Sequence, residues 1–385
     1  MMILSNIKMA GTDEPVNIRV DGDKITNVSA AIINDASDKL VLTFNNAIVF
    51  PGLINSHDHL DFNLFPQLGD RTYNSYTEWG KHIHKNYRDE IASVLKIPVS
   101  LRALWGVYKN LLCGVTTVVN HGETLKLEND LITVFEETHV LHSVQFEKGW
   151  KFKLNNPFKV NLPVNIHVGE GDDWPSFREI DQLTGWNLLQ KKLIGIHAVA
   201  MSEDQAKKFN AIVWCPQSNY FLLNKTGRVN LLKDHTSILF GTDSTLTSSW
   251  DIWEHLRLAR KTKLLTDNKL YLALNQSAAN TWHLNSGEIT PGKYADIVVA
   301  KIKPNTTGFD SFFGLRPADL LLVIHKGNIR LFDETLSAQL KGIDQSNFSK
   351  ISVTGSLKYV QGDLRGLMEK IREYYLPVDF PVSIN

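Results

Sequence analysis

The feature that most constrains this chain is an alternation, from about residue 98 to 264, of short apolar runs with amphipathic helical patterns. Strand side chains repeat every two residues and helix side chains every 3.6, so the two patterns are distinguishable. Pro98 to Leu112 places Leu101, Leu104, Trp105, Tyr108, Leu111 and Leu112 on one helical face, with Pro98 suited to a first turn and Gly114 to a stop. Val115 to Val119 follows as a β-branched strand. Further strands read at Val164 to Val168, Leu193 to His197, Ala211 to Cys215 and Ser237 to Phe240, with helices at Ser202 to Phe209 and Trp250 to Leu264. Near-continuous apolar strands alternating with helices imply a parallel sheet, and this many units favour a closed barrel. Only about 15 residues separate the strand near Val144 from the one at Val164, so one unit is expected to be reduced there.

Both ends of the chain carry a different pattern. Val16 to Val20 and Lys24 to Val28, around a turn at Asp21-Gly22-Asp23, read as a hairpin, and Ala295 to Ala300 and Leu320 to Ile324 are strand-like. The expected architecture is α/β: a (β/α)8 TIM-type barrel over 51–285 with one unit reduced, and a small β-sandwich domain composed of 1–50 and 286–345. A helical extension is expected over 346–385, around Leu364 to Tyr375.

With 385 residues, 43% of them hydrophobic, the chain can bury a large core, and its formal net charge of zero gives no footprint for nucleic acid or an anionic membrane. Cys113 and Cys215 cannot make a disulfide framework and suggest a reducing compartment. No run approaches about 18 apolar residues, and the first residues lack the features of a signal peptide, so a cytoplasmic protein is expected.

The chemistry starts at Pro51-Gly52-Leu53-Ile54-Asn55-Ser56-His57-Asp58-His59. Side chains two apart on a strand leave the same face, so His57 and His59 can share one metal ion. The chain holds its own control, His82-Ile83-His84, in a polar stretch that reads as helix, where positions i and i+2 diverge. Three more strands end in polar residues: His167 after Val164-Asn165-Ile166, His197 after Leu193 to Ile196, and Asp243 after Ser237 to Thr242. One such histidine is ordinary core. Four histidines and an aspartate, each at the carboxyl end of an apolar strand, are hard to explain as independent accidents.

The ordered run PGLINSHDHL, IHVGE, GIHAVAMSEDQ, CPQSN and GTDS resembles the amidohydrolase superfamily, on its deaminase and chlorohydrolase branch (cytosine deaminase-like and triazine hydrolase-like). Ser286 to Val299 is similar to that branch's return into its β-sandwich domain. The resemblance implies that His57, His59, His167 and Asp243 hold a metal, that His197 contacts the attacking water, and that Glu170 shuttles protons. It also implies that Pro216-Gln217-Ser218-Asn219 shapes the pocket rim, with Asn219 a substrate contact. A metal that brings bound water from a pKa of ~15.7 to about 7 supplies roughly 12 kcal/mol of differential stabilisation of hydroxide, which neutral imidazole ligands permit. Glu170, three residues past His167, is placed to carry a proton to a leaving nitrogen; its bland alternative is a solvated loop carboxylate. Two-metal relatives bridge their ions with a modified lysine on the fourth strand, but Lys151, Lys153 and Lys159 have no convincing strand around them. One divalent metal is therefore expected, Zn2+ ahead of Fe2+.

Other signals fail. Gly287 to Lys293 fits a phosphate-loop spacing, but Tyr294 replaces the needed Ser or Thr and no strand precedes it. Cys215-Pro216 lacks the other motifs of the cytidine-type zinc deaminases. His121 and Glu147, near the ends of the expected second and third strands, are candidate pocket residues, and Trp150, Trp174 and Phe62 are candidate stacking partners for a planar substrate. The leading expectation is hydrolytic deamination of a heterocycle by metal-activated water. The alternatives are a cyclic amidase or imidazolonase-type amide hydrolase and, in another class, a non-catalytic scaffold. The expected partner is a small molecule; pairing as a homodimer is what the resemblance implies, since the sequence itself does not reveal the oligomeric state.

Overall fold

The computed structural model describes residues 1–33, 40–125, 127 and 130–384. At its centre lie two parallel sheets. The five-stranded one runs in the order Ser237–Phe240, Ala211–Trp214, Leu193–His197, Val164–Val168, His139–Ser143, and the three-stranded one in the order Leu53–Asp58, Val115–Asn120, Thr133–Phe135. Every residue of Leu53–Asp58, Val115–Asn120, Val164–Val168 and Leu193–His197 is buried, as expected of central parallel strands covered on both faces, so the polar residues among them, such as Asn55 and Asn165, are buried too. The sheets meet where the backbone N–H groups of Thr242 and Asp243 donate to the carbonyl of His57, each at 3.1 Å. At the opposite edge no ladder joins Thr133–Phe135 to His139–Ser143, and only residues 136–138 link them.

Helices fill most connections. Val99–Leu112 begins after Pro98 and ends before Gly114 at φ +82°, as the sequence predicts. The expected shortening before Val164 is present: a five-residue helix, Trp150–Leu154, and a 3-10 turn, Pro157–Lys159, replace a full helix. A stronger reduction lies earlier, because the three-residue link between Thr133–Phe135 and His139–Ser143 has no room for one. The sequence hides this because Thr133–Phe135 is three residues long and only half buried, too short to show a period.

A mixed sheet of eleven strands gathers both chain ends. Its hinge is the antiparallel pair Ala47–Pro51 and Ile297–Lys301, flanked by Met2–Met9 with the hairpin Pro15–Asp21 and Lys24–Ser29 on one side and Leu320–His325 on the other. Leu4, Ile18, Ile25, Val49, Ile297, Leu322 and Ile324 pack into its core. Residues 346–384 are not a purely helical extension: Phe348–Val353, Ser356–Gln361 and Val382–Ile384 extend this sheet, and only Leu364–Tyr374 is helix. Ile351 and Val353 point inward while Ser352 does not, an alternation too short to stand out beside the strongly amphipathic helix. Among the described residues no single helix is long and apolar enough to cross a membrane.

Candidate active site

All the strands of the parallel sheets point their carboxyl ends the same way, and the polar residues that end them converge. The Nε2 atom of His167 lies 3.3 Å from that of His57 and 3.3 Å from that of His59. Asp243 brings Oδ1 to 3.5 Å from His57 Nε2 and 3.7 Å from His59 Nε2. Potential ligand atoms of His57, His59 and Asp243, and likewise of His57, His167 and His197, lie within 4.8 Å of one another.

The backbone is bent to achieve this. His197, Ala198 and Asp243 adopt left-handed conformations at φ of 70°, 51° and 59°, where a non-glycine residue costs of order 1–3 kcal/mol and persists only when its surroundings hold it. Gly169, at φ 62°, makes the matching turn after His167 without that cost and directs Glu170 back over the strand ends.

Partners behind each ligand fix which atom faces inward. His167 Nδ1 sits 2.8 Å from the carbonyl of His142 and so carries the proton, leaving Nε2 with its lone pair toward the cluster. His197 Nδ1 meets Asn219 Oδ1 at 2.8 Å, with the same consequence. Ser218 and Thr247 donate to Asp243 Oδ2 at 2.8 and 3.0 Å, leaving Oδ1 for the imidazoles. Burial and the neighbouring imidazole of His57 lower the pKa of His59 to about 3, and burial lowers that of His197 to about 4, so both are neutral lone-pair donors. Burial alone would raise the Asp243 carboxyl, but hydrogen bonding to His57 and the nearby imidazoles hold it well below its usual range. Glu170 is the opposite case: it is 5% exposed, 3.5 Å from His197 Nε2, and pushed well above the usual carboxylate range by burial and then by Asp243. Three imidazoles whose Nε2 atoms converge and a carboxylate oxygen beside them are a donor set that fits a divalent transition metal.

A buried polar layer that the sequence reading missed lies beneath. Asp58, between the two histidines, points the other way and accepts from Lys109 Nζ and Asn110 Nδ2 at 2.8 Å each, and from Asn63 Nδ2 at 2.8 Å. Lys109 is 1% exposed. The available signal was a lysine within the apolar face of Val99–Leu112 and an aspartate within a buried strand. Glu179, also fully buried, accepts the N–H of Gly169 at 2.7 Å and steadies the turn that presents Glu170.

Several expected pocket residues are placed elsewhere. Asn219 is fully buried and engaged with His197 and with Thr226 Oγ1 at 3.1 Å, so it orients a histidine instead of lining a rim. Glu147 pairs with Lys153 and accepts from the His142 N–H, closing the turn after His139–Ser143. Trp150 opens the short helix and packs into a core with Leu141, Leu154 and Val164. Trp174 is exposed and stacks on Phe177. Phe62, by contrast, stacks on the ring of His59 at 5.5 Å and 15°, and His121 lies against the cluster. Lys151 and Lys153 are exposed on a helix and Lys159 on a 3-10 turn, so none stands on a strand.

No family model matches the chain. It is 22% identical over 388 aligned positions to a 5-methylthioadenosine/S-adenosylhomocysteine deaminase of Pyrococcus abyssi, covering 83% of this chain and 90% of the relative. It is 23% identical to a protein of the same name from Carboxydothermus hydrogenoformans, covering 90% and 94%. Over most of its length the chain is thus similar in sequence to deaminases of methylthioadenosine and adenosylhomocysteine. Among solved structures, a zinc-bound adenosine deaminase of Xanthomonas campestris superimposes with a TM-score of 0.73 at 14% identity over 98% of both chains. A zinc-complexed atrazine chlorohydrolase of Arthrobacter aurescens superimposes with a TM-score of 0.63 at 16% identity, covering 86% of this chain and 95% of that chain.

Proposed function

We propose that this protein is a zinc-dependent amidohydrolase that hydrolytically deaminates an amino-substituted heterocycle at the carboxyl ends of its parallel strands. One observation carries the reading. Three imidazole Nε2 atoms and Asp243 Oδ1 converge from strands distant in sequence, with the buried Glu170 beside them next to His197. In this reading the two parallel sheets are the halves of one (β/α)8 barrel, and the sheet of both chain ends, which the strands within 348–384 join, is its β-sandwich companion.

His57, His59, His167 and Asp243 would hold the ion, whose contribution when bound is to make coordinated water acidic near neutral pH. Asp243, kept ionised, accepts the proton that water gives up. Glu170, kept protonated, donates to the departing nitrogen. Two carboxyl groups with pKa values pushed apart divide the acid and base roles. His197, neutral and aligned by Asn219, presents its Nε2 lone pair as an acceptor for an O–H of the attacking water. Burial of His57, His167, His197, Glu170 and Asp243 limits bulk water around them, which strengthens each of these interactions.

Adenine nucleosides lead the candidate substrates, because the homologous sequences are methylthioadenosine, adenosylhomocysteine and deoxyadenosine deaminases. Purified protein should carry about one zinc per chain by atomic spectroscopy. A panel of aminopurines, aminopyrimidines, pterins and triazines should give ammonia from at least one member. Ring opening of a cyclic amide without ammonia release would replace deamination with amidase chemistry. Metal-free protein whose properties are indifferent to loss of His167 would indicate a scaffold.

A further inference from the structure

His121 follows the strand Val115–Asn120, and its backbone N–H donates to the carbonyl of Asp58 at 2.9 Å, which pins it beside the His57-Asp58-His59 segment. Its ring centroid lies 4.3 Å from that of His167, 5.1 Å from that of His57 and 5.2 Å from that of His59. It is 2% exposed, and neither ring nitrogen has a hydrogen-bond partner. It also stands outside both sets of side chains whose ligand atoms come within 4.8 Å of one another. His121 is therefore against the metal cluster but not of it.

An imidazole offers one donor and one acceptor, and each buried polar atom left unpaired costs about 1–3 kcal/mol. Chains tolerate such atoms where a ligand satisfies them. Position suggests which ligand. Glu170 and His197 belong to the five-stranded sheet, whereas His121 ends the middle strand of the three-stranded sheet. A planar ring whose reacting carbon lies over the cluster, with its amino group toward Glu170, turns a different edge toward His121.

We infer that His121 is a substrate-reading residue, which hydrogen-bonds a ring nitrogen on the edge turned away from Glu170 and so selects aza-heterocycles over ring systems carrying C–H there. This rests on the proposed deaminase reading and adds a specificity element to it.

The test uses the metal-loaded enzyme with adenosine and its 1-deaza, 3-deaza and 7-deaza analogues, each with one ring nitrogen replaced by C–H. Wild-type protein should lose about 10- to 100-fold in kcat/KM, and a similar factor in calorimetric affinity, for one analogue. His121→Phe, which keeps the ring but removes both polar atoms, should lose a comparable factor on adenosine and no longer distinguish that analogue. His121→Asn should recover part of it, and zinc content should be unchanged in both variants. Loss of zinc in His121→Phe would make His121 a ligand, and undiminished discrimination would make it packing; either overturns the inference. Binding without ammonia release would remove the deaminase reading while calorimetry still decides the role of His121. Absence of both binding and turnover would overturn the two together.

Discussion

Two His-x-His pairs in this chain share a motif and little else. His57, near the end of the fully buried strand Leu53–Asp58, and His59, just past it, leave one face together and meet His167 and Asp243 within 3.7 Å. His82 and His84 sit on the helix Tyr76–Asn86, where a two-residue step is a 200° turn, so they diverge. His82 bonds Asp70 at 3.1 Å and Asn86 at 3.0 Å, and His84 is exposed. Spacing is therefore not what makes a metal site. The secondary structure beneath the spacing decides whether two imidazoles share a point in space, and the outer hydrogen bonds decide which nitrogens face it.

The sharpest way to break the contrast is to remove a ligand. His167→Ala should strip the metal and cut deaminase activity at least about 10³-fold, more than the roughly 10- to 100-fold typical of losing an outer partner; zinc analysis with ammonia release checks this. Glu170→Gln should keep the zinc and lower kcat by about 10² to 10⁴, because it removes a proton donor but no ligand. A parallel loss of metal there would place Glu170 among the ligands.

Beneath the first pair lies a buried charge that the second pair lacks. Lys109→Met leaves Asp58 buried without its cation, so stability in urea should fall by about 3–5 kcal/mol, and zinc should bind about 10- to 100-fold more weakly. Adding Asp58→Asn should restore much of the stability, since the unpaired charge goes with it. A double variant no better than the single one would show that the amides around Asp58, rather than Lys109, hold the layer.

Acid should also separate buried from exposed imidazoles. Burial lowers the pKa of His255 in the folded protein to about 4, from an unfolded value of about 6.5. Its contribution is therefore fully present above pH 6.5 and is lost as pH falls from 6.5 through about 4, because the unfolded chain takes up the proton first. Urea unfolding of the metal-free protein should lose about 3 kcal/mol over that window from this residue, and His255→Gln should flatten that part of the curve. The smallest effect belongs to the control pair: His84→Ala should change activity less than about two-fold and stability by no more than about 0.5 kcal/mol, a surface substitution.

Period and position in the sequence determined the parallel strands, because Val164–Val168, Leu193–His197 and Ser237–Phe240 are short runs rich in Val, Ile and Leu, and each ends near a chemically distinctive residue. They likewise determined that His57, His59, His167, His197 and Asp243 belong together, since the side-chain period on a strand is fixed by backbone geometry. Only the tertiary structure decided the rest. Lys109 and Asp58 find each other across 51 residues, Asn219 turns to His197 instead of the pocket, and Trp150 goes into a core. Each depends on where one helix packs against one strand, and local periodicity carries no record of that contact. The same holds for the short link at 136–138 and for the strands of the C-terminal segment, which exist because a neighbouring strand offers its unpaired backbone groups.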